Sequence, residues 1–418
     1  MDRVLVHGWG EVRRDRRYCE PAFSPIRELE SVIMAQIRIP AIYMRGGSSK
    51  GVFFHAGDLP DDRDAWDRIF LKTIGSPDPY GRQLNGMGGG VSSVSKAVVI
   101  GPPSRPDADL DYTFAQVAVG APRVDYSSNC GNLSSAVGPF AIDTGLMSKS
   151  LEAPGPDSRA VMIHNTNSGK LIRSTVPLED GLARVEGDFE IPGVGGSGAR
   201  IRLDFLDPGG TTTGALLPTG NPIDRVVVEG AGEFEMSMVD SSTPCAFLDA
   251  ARFGLDGSES VADLEARADL MDLVERVRCV AAVHMGLAES PDRAPGAAPK
   301  LGLVARPRPY RTLAGNLVEP VAADLAARIW SMGQVHRVLP LTGAMCLAVA
   351  CRIPGTVCHA MVGDVDRTQD IRLANPSGVL PLDARVEREG NRIVARQVTA
   401  YRTARTLMEG NVLIPASG

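Results

Sequence analysis

Two stretches of this chain set an ionisable side chain among small residues that leave the backbone accessible. Asn85-Gly86-Met87-Gly88-Gly89-Gly90-Val91-Ser92-Ser93-Val94-Ser95-Lys96 ends in an amine. Ser127-Ser128-Asn129-Cys130-Gly131-Asn132-Leu133-Ser134-Ser135-Ala136-Val137-Gly138 carries a thiol. Residues of this kind let backbone N–H groups come close to a ligand. An amine and a thiol presented in this way point to proton transfer on an anionic substrate.

A lysine acts as a base only when partly neutral, and burial pushes it that way. Lys96 lies between Gly/Ser turns and the apolar Ala97-Val98-Val99-Ile100, which predicts a partly buried amine. The blander alternative is a solvated lysine at a strand start. Cys130 is flanked by Asn129 and Gly131-Asn132 just before a small-residue helix. There the helix dipole and unpaired N–H groups favour a thiolate, or an anion beside it. Its competitor is a buried thiol acting as a small hydrophobe. Cys245, Cys279, Cys346, Cys351 and Cys358 lie in apolar runs and read as packing. The Gly88-Gly89-Gly90 run lacks the spacing of a nucleotide-binding loop and reads as a carboxylate cradle.

Composition narrows the partners. Forty-four per cent apolar and 22 per cent charged residues describe an ordinary globular protein, and 418 residues suggest two domains. A net charge of −6 argues against a nucleic-acid or anionic-membrane partner, while local donors could still hold a small anion. No run approaches the ~18 apolar residues of a membrane span. The charged Glu11, Arg13, Arg14, Asp15, Arg16 and Arg17 break any secretory signal. Seven scattered cysteines and six separated histidines give neither a disulfide framework nor a metal site. The expectation is a cytoplasmic protein with reduced thiols, no metal and no cofactor.

These residues need elements to hold them. Residues 1–33 are polar and aperiodic and read as a leader or an upstream start-site artefact, with the folded part opening near Met34. Alternation predicts strands at 35–44, 97–100, 112–119, 226–228 and 246–248, with a strand–turn–strand over 371–380 and further strands near 384–386 and 393–395. Helical spacing predicts helices at 61–74, capped by Asp61 or Asp62, and at 262–285, with Leu264, Leu270, Leu273, Val274, Val277 and Val280 on the apolar stripe. Pro218-Thr219-Gly220-Asn221-Pro222 is a boundary candidate, dividing 34–219 from 220–418, although the last strand could return to the first part. Thr342-Gly343-Ala344-Met345-Cys346-Leu347-Ala348-Val349-Ala350 repeats the pattern after Cys130: a glycine, then a small-residue helix. The class is mixed α/β, with two helix N-termini near a shared cleft.

Several segments together resemble the PrpF family of methylaconitate isomerases, methylitaconate delta-isomerases and oxalomesaconate tautomerases. They are Met44-Arg45-Gly46-Gly47-Ser48-Ser49-Lys50-Gly51, Gly75-Ser76-Pro77-Asp78-Pro79-Tyr80-Gly81, Met87-Gly88-Gly89, Ser92-Ser93-Val94-Ser95-Lys96 and Asn129-Cys130-Gly131-Asn132-Leu133-Ser134. Asn165-Thr166-Asn167-Ser168-Gly169-Lys170, Gly220-Asn221-Pro222-Ile223-Asp224 and Asn375-Pro376-Ser377-Gly378 continue the match from about residue 37 to the end. The resemblance implies a diaminopimelate-epimerase-like fold: two similar domains, each wrapped around a central helix, with the site between them. It also implies cofactor-independent isomerisation of unsaturated di- or tricarboxylates, with Lys96 as principal base and Cys130 as its partner. Some family members carry histidine where this chain has Asn375, which bears on substrate subtype.

The expected site therefore comprises Lys96 and Cys130 for proton transfer, and Arg45, Ser48, Gly88, Gly89, Ser93, Asn129, Gly131, Asn132, Thr342, Gly343 and Ser377 for the substrate. Two other readings compete. A racemase on the same fold would need a second cysteine where Thr342-Gly343 stands, and Cys346 lies a turn further in. A non-catalytic carboxylate-binding accessory to a dehydratase would show no proton exchange. A homodimer is a further expectation, since Trp66, Trp330 or the 264–280 stripe would suit a dimer surface as well as a core.

Overall fold

The structure, a computed structural model, describes residues 36–127, 129–146, 155, 157–363, 366, 368–390 and 392–416. The expected leader, with Cys19 and Met34, lies outside them.

Among the described residues, sixteen strands of five or more residues and four long helices carry the fold. In the first half of the chain these are β1 (Gln36–Gly46), β2 (Ser49–His55), α1 (Arg63–Ile74), β3 (Lys96–Gly101), β4 (Leu110–Val117), α2 (Ser134–Asp143), β5 (Ser158–Asn165), β6 (Lys170–Glu179) and β7 (Ile201–Leu206). The second half holds β8 (Asp224–Val228), β9 (Gly232–Asp240), β10 (Pro244–Asp249), α3 (Ala268–His284), β11 (Lys300–Ala305), β12 (Leu325–Ser331), α4 (Leu341–Arg352), β13 (Ile371–Asn375), β14 (Gly378–Glu389), β15 (Arg392–Arg402) and β16 (Ala404–Pro415).

The strands join edge to edge about an internal pseudo-twofold between β7 and β15, which pair antiparallel. Outward from β7 run β6, β5, β4, β3, β2, β1 and β16; outward from β15 run β14, β13, β12, β11, β10, β9 and β8. On the first side successive pairs are antiparallel, antiparallel, parallel, antiparallel, parallel, antiparallel and antiparallel. The second side repeats that order without exception. The chain's last strand, β16, pairs with β1 at the edge of the first half.

Each half wraps its sheet around one central helix. Apart from Asp143, every residue of α2 is buried, and in α4 only Thr342 is not. A helix without a polar face belongs in a core. Small residues let it sit close: a Cβ on Gly138 would lie 2.7 Å from Ser174 Oγ and Val176 Cγ2 on β6. On the opposite sheet faces, α1 packs through Trp66, Phe70 and Ile74, and α3 through Leu270, Val274, Val277 and Ala281. Asp62 caps α1 by accepting from Asp64 N.

The long helix expected over 262–285 is two helices. Val261–Glu265 is held by a Ser260–Asp263 capping box, and α3 starts afresh after Arg267, whose backbone leaves the helical region. Six residues separate Leu264 from Leu270, out of phase with a 3.6-residue turn, so one straight helix could not bury both. Trp66, Trp330 and the buried stripe residues are covered within the chain itself, not offered to a second copy. Among the described residues no helix is long and apolar enough to cross a membrane.

Candidate active site

Lys96 is the first residue of β3, and Cys130 lies four residues before α2. The ladder brings the start of β3 under the mouth of the central helix, so Lys96 Nζ donates to Cys130 Sγ at 3.4 Å. Lys96 is 8% exposed and Cys130 7%. The solvated-lysine alternative is therefore excluded, and the thiol is buried against an amine, not among hydrophobes alone. The ring of Phe114 on β4 lies 4.9 Å from Nζ, a contact that favours a cation.

The loop before α2 is held by its carbonyls, which leaves its amides free. Cys130 O accepts from Ser134 N at 3.0 Å, Ser134 Oγ at 3.1 Å and Tyr112 Oη at 3.3 Å. Burial raises the Tyr112 phenol well above its ordinary range, so it remains a neutral donor. Among the described residues no acceptor meets the N–H groups of Gly131, Asn132 and Leu133, nor those of Thr342 and Gly343 at the start of α4. The two helix mouths meet where Gly131 faces Leu341: a Cβ on Gly131 would lie 2.9 Å from Leu341 Cδ2. Unpaired amides at two facing N-termini form an anion-friendly seam.

Cavities flank that seam. One of about 520 Å³ is lined by Asn129 and Asn167 from the first half and by Lys300 and Thr342 from the second. Asn129 accepts from Asn165 Nδ2 at 3.3 Å, and Asn167 brackets Phe114 by accepting from its N–H and donating to its carbonyl, each at 2.8 Å. The other, about 110 Å³, is lined by Ser48, Asn132, Asn375 and Arg402. There Asn132 donates to Ser48 Oγ at 3.2 Å and accepts from Arg402 Nε at 3.1 Å. Burial brings the Arg402 guanidinium down to about 10, still charged at neutral pH. A larger cavity of about 670 Å³ beside the end of α1 mixes Lys72, Asp78 and Arg82 and lies away from the seam. Lys96 and Cys130 line none of the three; the seam cavities approach the pair through Asn129 and Asn132.

Other expected residues have different roles. The glycine run is not a free cradle, because Gly88 N donates to Ile74 O and Gly90 N to Gln83 Oε1. Its glycines serve chain packing: a Cβ on Gly86 would lie 2.3 Å from Gly75 N, and one on Gly88 the same distance from Gln83 Oε1. Gly89 lies in the same packed turn, beside Val94, and Ser93 is half-buried in a short helical turn. Arg45 Nη1 donates to Gly47 O at 3.0 Å and Thr403 O at 2.9 Å, clamping the β1–β2 turn to the start of β16. Ser377 is a hairpin residue whose hydroxyl donates to Arg337 O at 2.7 Å. Cys245, Cys346, Cys351 and Cys358 are buried, and Cys279 is partly exposed on α3 beside Glu275.

Sequence reasoning missed Arg402 and Lys300. Arg402 ends an alternating strand and carries no motif. Lys300 opens an apolar strand after a turn, as Lys96 does, and that parallel was the available signal.

The sequence profile described as "PrpF protein" matches residues 36–415. The chain is 39% identical over 384 residues to the 3-methylitaconate isomerase of Eubacterium barkeri, covering 91% of this chain and 98% of the relative. It is 38% identical to the 2-methyl-aconitate isomerase of Cupriavidus necator, with coverage of 91% and 98%. It is 36% identical to the 4-oxalomesaconate tautomerase of Pseudomonas putida, with coverage of 91% and 97%. The crystal structure of methylitaconate-delta-isomerase superposes with a TM-score of 0.82 at 37% identity, over 91% of this chain and 97% of that one. A hydroxyproline epimerase from Agrobacterium vitis, 12% identical with a TM-score of 0.50 over 91% and 94% of the two chains, shares the fold. With the expected mixed α/β fold present and the profile spanning nearly all the described residues, the chain belongs to the PrpF family.

Proposed function

We propose that this protein is an isomerase that moves a proton on an unsaturated di- or tricarboxylate such as methylitaconate, 2-methylaconitate or 4-oxalomesaconate. The observation that carries the reading is the buried Lys96–Cys130 contact at the mouth of α2. A carboxylate conjugated with C=C acidifies the neighbouring allylic C–H, and removing that proton leaves a dienolate. Lys96 takes the proton. The free amides of Gly131, Asn132, Thr342 and Gly343 hold the carboxylates and the developing charge, each such donor contributing about 3–4 kcal/mol. Cys130, or Lys96 itself, returns the proton at another carbon, or at the same carbon after rotation. The chemistry needs only an amine, a thiol and backbone dipoles.

A two-cysteine racemase fits less well. Cys346 is fully buried, burial raises its thiol far above the ordinary range, and its Sγ donates to Val239 O at 3.3 Å. NMR of each candidate acid in deuterated water with the purified protein tests the proposal. Deuterium entering the allylic position supports it. Absence of exchange with all three acids refutes it and favours a binding role.

A further inference from the structure

We propose that Lys300 is the second half's counterpart of Lys96 and binds a substrate carboxylate remote from the reacting carbon. The assignment rests on the proton-transfer reading of Lys96 and Cys130. It follows from the ladder. β3 and β11 hold equivalent places on either side of the pseudo-twofold, each pairs parallel on one side and antiparallel on the other, and a lysine opens both. The Lys300 stem passes the first turn of α4, where a Cβ on Gly343 would lie 3.4 Å from Lys300 Cδ. Each lysine thus reaches the mouth of its own central helix.

The surroundings differ where the roles differ. Lys96 touches a thiol that can exchange a proton with it. Lys300 Nζ has only long hydrogen bonds, 3.3 Å to Ala297 O and 3.5 Å to Ser331 Oγ, and forms no ion pair among the described residues. The buried thiol of Cys245, opposite it in register on β10, influences the amine through charge without a hydrogen bond to it. Ser331 Oγ is itself 2.7 Å from His336 Nε2. Burial, then the Lys300 charge, pushes that imidazole down to about 4, so near neutral pH it adds no charge.

A mostly buried ammonium with two long contacts lacks acceptors, and a carboxylate would complete its shell. The 520 Å³ cavity it lines has no aspartate or glutamate among its described lining residues. Its other lysine, Lys170, is engaged at 2.8 Å by Asp207 O. Burial lowers the Lys300 amine from its ordinary value, and a bound carboxylate would restore the charged form. A carboxylate at Lys300 fixes which carbon of the substrate faces Lys96.

The test uses propane-1,2,3-tricarboxylate, which has no C=C and cannot be isomerised. It is titrated calorimetrically into the full chain and into Lys300→Met and Lys300→Gln, each checked by thermal melting. Kd is expected to weaken about 10- to 100-fold in both variants, the range for a charge-assisted hydrogen bond. KM for the turned-over acid should rise by a similar factor and kcat fall by less. An unchanged Kd in either folded variant, or no binding to the unaltered protein, overturns the inference. So does loss of kcat at unchanged Kd, which would make Lys300 a proton-transfer group. If the unaltered protein exchanges no deuterium yet binds the tricarboxylate through Lys300, the isomerase reading fails and the binding site stands.

Discussion

The two ends of the pseudo-twofold carry the same scaffold with different chemistry. At each, a lysine opens a doubly paired strand beneath the mouth of a buried central helix. In the first half the amine meets Cys130 at 3.4 Å. In the second it meets a serine hydroxyl at 3.5 Å, backed by a neutral histidine. Duplicating the ladder duplicated the geometry of an amine at a helix N-terminus. On the proposed reading the neighbouring side chain decides what that amine does: a thiol in contact permits proton exchange, whereas a hydroxyl at 3.5 Å leaves the amine open to an anion.

Substitutions can break this contrast, beginning with the largest effect. Lys96→Ala removes the proposed base, and turnover should fall about 10³-fold, within the range for general-base catalysis. Steady-state kinetics with the three acids checks it. Cys130→Ser keeps shape but replaces the thiol with a far weaker acid. Turnover should drop by about 10²-fold, with solvent exchange declining less if Lys96 itself returns part of the proton.

Asn132→Ala leaves the buried Arg402 guanidinium without its side-chain acceptor and frees Ser48. It should cost about 1–3 kcal/mol of stability, read by denaturant melts. The smallest effect belongs to the second half. His336 falls from 6.5 unfolded to about 4 folded, so below 6.5 the unfolded chain binds a proton that the native state does not. Stability from this group is complete above pH 6.5 and is lost as pH falls toward 4. After allowing for partial exposure it amounts to about 1–2 kcal/mol. His336→Asn should flatten that part of the stability–pH curve, measured by melts across the range.

Legibility differed between the two ends for physical reasons. Lys96 and Cys130 stood out because glycine, serine and asparagine around them expose backbone, and both proved to meet. β1, β3, β4, β8, β10, β13, β14 and β15, with α1 and the central helices, followed from period and small-residue content; β2, β5, β6, β7, β9, β11, β12 and β16 were not singled out. The same glycine signal misled at Gly88, where the missing side chain makes room for Gln83 and the end of α1 instead of a ligand. Lys300 follows an ordinary Ala-Pro turn, and its local parallel with Lys96, a lysine opening an apolar strand, gains meaning only from the strand ladder. Arg402 lies 270 residues from Asn132, so no local pattern could pair them. The 262–285 helix failed on phase, since an apolar stripe was counted across a break it could not bridge.

The most direct test of the central claim is solvent deuterium entering the substrate, followed by NMR, in the unaltered protein beside Lys96→Ala. Binding of propane-1,2,3-tricarboxylate, measured in parallel, confirms that the variant still holds a polycarboxylate. The account predicts rapid allylic exchange in the first and essentially none in the second, with tricarboxylate binding retained. Exchange persisting at near-normal rate in Lys96→Ala would contradict it.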